Sequence, residues 1–159
     1  MSSFQIAVNL TLKHEGGFTD NPADPGGATN MGITQRDMPG IFIRDLTINQ
    51  AEAFYQSKFW NPLYSGIIDQ NIANKLFDMG VLFGVGTAVQ ILQETLRSTY
   101  NIGVDGNFGP ETLAALNHFE PVMLLAEYKQ AMVNRAIAIG AARPAEQIFV
   151  SGWINRINS

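Results

Sequence analysis

Between Phe18 and Thr34 the chain reads FTDNPADPGGATNMGIT, and no helix or long strand can run through it. Pro22 and Pro25 fix φ, Gly26, Gly27 and Gly32 accept φ above zero, and the Asp and Asn side chains bond to nearby backbone amides. The segment reads as a set of tight turns forming a small, irregular β-hairpin or lobe. What precedes it is helical. Phe4, Val8 and Leu12 recur at a spacing of four, and Glu15 falls three residues further along the same apolar face. Gly16 and Gly17 follow at once, and one of them is expected to take the positive φ that commonly closes a helix. Partial burial and the negative end of the helix dipole both disfavour a charged carboxylate there, which suits a general acid. The same residues also suit a capped helix that ends in a surface glutamate.

Past Thr34 the punctuation changes and helical periods take over. Gln35 to Arg44 fits either a short helix or a loop, with Met38-Pro39-Gly40 as a breaker. Thr47 and Gln50 make a capping box for a helix whose apolar face is Ala51, Phe54, Tyr55 and Phe59, ending at Trp60-Asn61-Pro62. A helix from about Asp69 carries Ile72, Ala73, Leu76 and Phe77, after which Gly80, Gly84 and Gly86 allow a break or a close contact. Thr87 is expected to cap the next helix, with Val89, Leu92 and Leu96 inward. GVDGNFG from Gly103 to Gly109 is a turn, Pro110 opens a short helix, a longer one runs from Pro121 to Ile139 and stops at Gly140, and a last one begins near Pro144. The fold expected is mainly α with a small β-hairpin lobe after the first helix. It is read as a single unit over 1–159, with sub-lobes at 1–68 and 69–159.

A chain of 159 residues that is 46% hydrophobic and 15% charged can bury a core without metal or disulfide help. Its formal charge of -4 gives no general attraction to nucleic acid or anionic lipid, so a polyanionic substrate must be gripped locally. There is no cysteine, and two histidines, His14 and His118, are too few for a histidine-based metal centre. No metal or cofactor is expected. The N-terminus lacks the basic and apolar regions of a secretory signal, and the run from Met79 to Val89 falls far short of the roughly 20 residues a membrane span needs.

The string HEGGFTDNPADPGGATNMGIT from His14 to Thr34 resembles the catalytic segment of the glycoside hydrolase family 108 muramidases, phage endolysins and related bacterial lysozymes. The likeness continues through Phe54-Tyr55 and Trp60, through Ala88 to Leu116, and through Gly152-Trp153-Ile154-Asn155-Arg156. The last two stretches lie in a part that in this family resembles a peptidoglycan-binding region. One departure is visible: the family often has an Ala-Val-Asn-like run after the central aspartate, where this chain has Asp78-Met79-Gly80-Val81-Leu82. The resemblance implies a lysozyme-like α+β fold and cleavage of the β-1,4 bond between N-acetylmuramic acid and N-acetylglucosamine, with Glu15 as the acid. By similarity to the Glu, Asp, Thr order of phage T4-type lysozymes, Asp24 would place a water or stabilise positive charge, and Thr29 would help orient the water. Asp20 is the alternative second carboxylate, and Asp24 before Pro25-Gly26 also suits a plain Asx turn.

Sugar rings present C–H faces, so Phe18, Tyr55 and Trp60, with Asn30 and Thr34 as polar contacts, are candidates for substrate binding. Trp153 and Arg156 read as a packing anchor, and the GVDGNFGPET turn as either a peptidoglycan contact or a tight helix–helix turn. The rival functions are a lytic transglycosylase working with a single glutamate and a non-catalytic wall-binding protein that kept the fold. The expected partner is peptidoglycan, the expected state a monomer. Without a signal peptide, the resemblance implies synthesis in the host cytoplasm and passage to the periplasm or cell wall through a holin lesion or a dedicated export route.

Overall fold

A computed structural model of the chain describes residues 1–20 and 27–159. The first helix, α1, spans Phe4–Leu12 and buries Ala7, Val8 and Thr11. It ends without a glycine cap: Lys13 closes it in right-handed conformation, its N–H donating to the Leu10 carbonyl and the His14 N–H to the Thr11 carbonyl. Among the described glycines positive φ occurs at Gly27, Gly32, Gly84 and Gly106, so neither Gly16 nor Gly17 takes the role expected of it. The chain then enters a two-stranded antiparallel hairpin, β1 (Thr29–Asn30) and β2 (Ile33–Thr34), paired Thr29 to Thr34 and Asn30 to Ile33. Met31 and Gly32 form its two-residue turn with φ of 49° and 74°, the doubly positive pattern whose twist matches a tight hairpin.

The segment after the hairpin is a loop with one 3₁₀ turn at Ile43–Asp45. Its breaker residues are held by one side chain, Gln35, which donates to the Met38 and Ile41 carbonyls and accepts from Ile43 N–H. Helix α2 (Ile48–Phe59) opens with the complete Thr47/Gln50 capping box. Helix α3 (Gln70–Phe83) is capped by Asp69 and buries Leu76, Phe77 and Met79 completely. Three such side chains contribute roughly 1.5–3 kcal/mol each, so α3 is the axis of the core.

Gly84, at φ 90°, separates α3 from α4 (Val85–Arg97). Thr87 therefore lies inside α4 rather than capping it, because the positive φ of Gly84 already breaks the backbone. Helix α5 (Pro110–His118) starts at its proline. Helix α6 (Pro121–Ala142) runs on through Gly140, where a Cβ would meet Val150 and Gln147. That glycine is a point of close approach, not a stop. A 3₁₀ stretch, Pro144–Phe149, leads into α7 (Val150–Asn158). Helix α3 packs on α1, α4 and α6, and α7 returns along α6, which brings the C-terminal helix back to the end of α1. No helix of the described residues is long and apolar enough to cross a membrane.

Candidate active site

Three residues beyond the end of α1, Glu15 sits with its side chain 16% exposed, against the turn of the hairpin. A Cβ on Gly32 would come within 2.6 Å of the Tyr55 Oη and 2.8 Å of the Glu15 Cδ, so only glycine lets the turn close over the acid. The Tyr55 hydroxyl donates to the Met31 carbonyl at 2.9 Å, tying that turn to α2. Burial, and then the charge of Glu15, push this hydroxyl far above the usual tyrosine range, so it remains a donor.

The partner that sequence reasoning missed is Arg156, on α7. Its Nη2 lies 2.9 Å from Glu15 Oε1 and also 2.9 Å from Asp78 Oδ1, and its Nε donates to both Asp78 oxygens. Thr11, buried in the last turn of α1, donates to the same Asp78 oxygen at 3.0 Å. Burial opposes the charge on Arg156, but the hydrogen bonds and charge of Asp78, followed by those of Glu15, more than offset it and its pKa is raised. Residues from α1, α3 and α7 thus hold the glutamate in one charged cluster. Arg156 is therefore more than the packing anchor expected with Trp153. The available signal was Asp78, an acid on the apolar side of a core helix, which demands a cation from elsewhere in the chain.

Glu15, Gly32, Tyr55 and Arg156 line a cavity of about 210 Å³ together with Asp37, Lys58 and the apolar Phe54, Phe59, Val81 and Leu82. Leu82, the position where the chain departs from its resemblance, thus borders the acid. A wider hollow of about 700 Å³ beside Gln35 and Phe42 has no carboxylate among the described residues of its wall.

The remaining sequence candidates are dispersed. Asp24 lies outside the described residues. Asp20 is exposed, and Phe18, on the same stretch, carries the Arg44 guanidinium 4.9 Å from its ring centre. Thr29 is half-buried in β1, its hydroxyl 3.5 Å from the Gly27 carbonyl. Asn30 spends its amide on the Ile43 and Arg44 carbonyls, bracing the hairpin, and Thr34 donates to Asp37 at 2.7 Å. Trp60 is 9% exposed, packed edge-on against Phe4, Tyr64 and Phe77. That burial leaves no ring face for a sugar, so Trp60 is a core residue. The GVDGNFG turn is braced from within the fold. Buried Gln93 donates to Asp105, the Asn107 carbonyl and Thr112, and accepts from the Asp105 and Gly106 N–H groups. Among the described residues no group of acids, histidines or cysteines could hold a metal ion.

The comparisons with known proteins meet this geometry. A solved structure of SagA from Brucella abortus is 27% identical, covers 98% of this chain and 89% of its own, and superposes with a TM-score of 0.78, so the mainly helical, lysozyme-like α+β fold is shared. No curated protein matches the chain. Family comparison matches glycosyl hydrolase 108 over 8–84 and a predicted peptidoglycan domain over 87–158, with the junction at the α3–α4 break. Residues 8–84, with Glu15 among them, belong to the glycosyl hydrolase 108 family and residues 87–158 to the predicted peptidoglycan domain, which makes this chain a glycoside hydrolase of peptidoglycan.

Proposed function

We propose that the chain is an N-acetylmuramidase that hydrolyses the β-1,4 bond between N-acetylmuramic acid and N-acetylglucosamine, with Glu15 as general acid. The observation that carries this reading is the setting of Glu15: a partly exposed carboxyl at a helix end, fixed by Arg156 and overlaid by the Gly32 turn in a cavity. In its protonated form a carboxyl placed here can give its proton to the leaving oxygen as the C1–O bond breaks. A water then adds at C1, and its proton returns to the enzyme. Asp24 is proposed as the second carboxylate and Thr29 as the water-orienting hydroxyl, both on the resemblance of the segment. Asp20 is the substitute for Asp24. Lysis of a bacterial host by a monomeric phage endolysin, made in the host cytoplasm and acting in the periplasm or wall after holin-type or dedicated export, is the role in which such a chain fits best.

The test pairs a variant with product analysis. Glu15→Gln keeps the shape of the side chain and removes its proton, and should lower the release of reducing ends from purified peptidoglycan by about 10²–10⁴-fold. Mass spectrometry of the parent's digest should show products with water added. Products ending in 1,6-anhydro sugars would make the enzyme a transglycosylase, and full activity of Glu15→Gln would remove the acid assignment.

A further inference from the structure

We propose that Lys58, held by Asp37, is a carboxylate-reading subsite in the wall of the Glu15 cavity, taking the carboxylate borne by the muramic acid substituent of the glycan. The inference rests on the muramidase reading above. Both residues line the same cavity as Glu15 and Tyr55, although Asp37 sits in the loop after the hairpin and Lys58 in the last turn of α2.

The ammonium is positioned without being buried. Lys58 Nζ lies 2.9 Å from Asp37 Oδ1, 4.8 Å from the Phe54 ring centre and 5.7 Å from that of Phe59, while its side chain is 47% exposed. An ammonium has three donors, and Asp37 takes one. Asp37 is itself fixed: its Oδ2 accepts from the Thr34 hydroxyl at 2.7 Å and the Thr34 N–H at 3.4 Å. Those bonds, the Thr34 hydroxyl first and Lys58 second, hold its carboxyl below the usual carboxylate range.

An exposed ion pair adds little to stability, so folding gives weak reason for this arrangement. Binding gives a better one. The chain is net negative and attracts a polyanionic wall only locally. Of the two cations among the described residues of the cavity wall, Arg156 is spent on Asp78 and Glu15, which leaves Lys58 to meet an incoming anion. In peptidoglycan that anion is a carboxylate, either the lactyl group of unsubstituted muramic acid or one on the stem peptide amide-linked to it.

The test measures KM and kcat for the parent, Lys58→Met and Lys58→Arg on three substrates. These are intact sacculi, glycan strands stripped of stem peptides by an amidase, and both materials after their carboxyls have been converted to amides. Lys58→Met should raise KM about tenfold with a smaller change in kcat, and Lys58→Arg should recover most of it. Amidation should raise KM for the parent by a similar factor and leave Lys58→Met unmoved. A response on stripped strands identifies the lactyl carboxylate; a response confined to intact sacculi identifies the stem peptide. Equal KM for parent and Lys58→Met, or equal sensitivity of both to amidation, overturns the subsite while leaving the muramidase reading standing. The amidation arm on the parent needs no variant to fold, and a parent insensitive to it also overturns the subsite. A parent that releases no reducing ends from any substrate removes the muramidase reading and the subsite together.

Discussion

At the scale of single residues, the charge on Asp78 governs the site more than the charge on Glu15 does. Asp78 is 5% exposed, and Arg156 is its cation. Removing one partner of such a buried pair leaves an uncompensated charge and costs about 3–5 kcal/mol. Arg156→Met should therefore lower thermal stability by that amount as well as activity. In the double variant Asp78→Asn/Arg156→Met the Asp78 charge is no longer stranded, so part of the stability should return while activity stays low, because Glu15 still lacks its anchor. Thermal unfolding of the single and double variants checks this: purely additive losses would mean that the two residues are not coupled. The position of Glu15 just past α1 was legible in the sequence because the apolar face that leads to it is local. Arg156 was not, since nothing in the string Gly152-Trp153-Ile154-Asn155-Arg156 says which acid it meets, and Gly32 showed only as a turn residue, without the carboxyl it must clear.

Among the elements, those announced by local chemistry appear where the spacing placed them: α2 behind its capping box, α3 behind Asp69, α5 at Pro110. Errors arose where glycine can do opposite things. Gly84 breaks the chain and makes Thr87 redundant as a cap, whereas Gly140 lets α6 continue because Val150 packs against it. The turn from Gly103 to Gly109 shows the same limit. Its Asp, Asn and Gly residues suit a ligand loop or a folded turn, and Gln93, 2% exposed, ties that turn to α4 through four hydrogen bonds. Gln93→Leu should leave the buried Thr112 hydroxyl and the Asp105 and Gly106 N–H groups without their partner, at about 1–3 kcal/mol for each group that water does not reach, and so lower the melting temperature. Urea unfolding measures it. A loss below about 1 kcal/mol would show that the turn holds itself together and that its polar groups are available for other partners.

Over the whole molecule, the two regions matched by different families share one electrostatic centre, and its pH response should reveal the coupling. Lys75 on α3, buried beside Asp78, donates to the Arg156 carbonyl on α7 at 3.0 Å. Burial lowers its pKa to about 8 from 10.5, only partly countered by Asp78. Between those values the unfolded chain holds more protons than the folded one, so stability rises with pH across that window. The tyrosines act in the opposite sense. Burial raises Tyr55, Tyr64 and Tyr128 above the ordinary value of 10.0, so above about pH 10 the folded chain retains protons that the unfolded chain has lost. Stability should then fall. The free energy of unfolding should accordingly climb by about 1–2 kcal/mol from pH 8 to 9.5 and decline above pH 10. Lys75→Met should abolish the climb and keep the decline, because the methionine fills the same space without titrating. Urea titrations at half-unit pH intervals resolve the two limbs, and a climb that survives in Lys75→Met would place its origin elsewhere. The sequence shows Lys75 as one more charge on a helix, and only the return of α7 to α3 makes it a buried base whose titration links the ends of the chain.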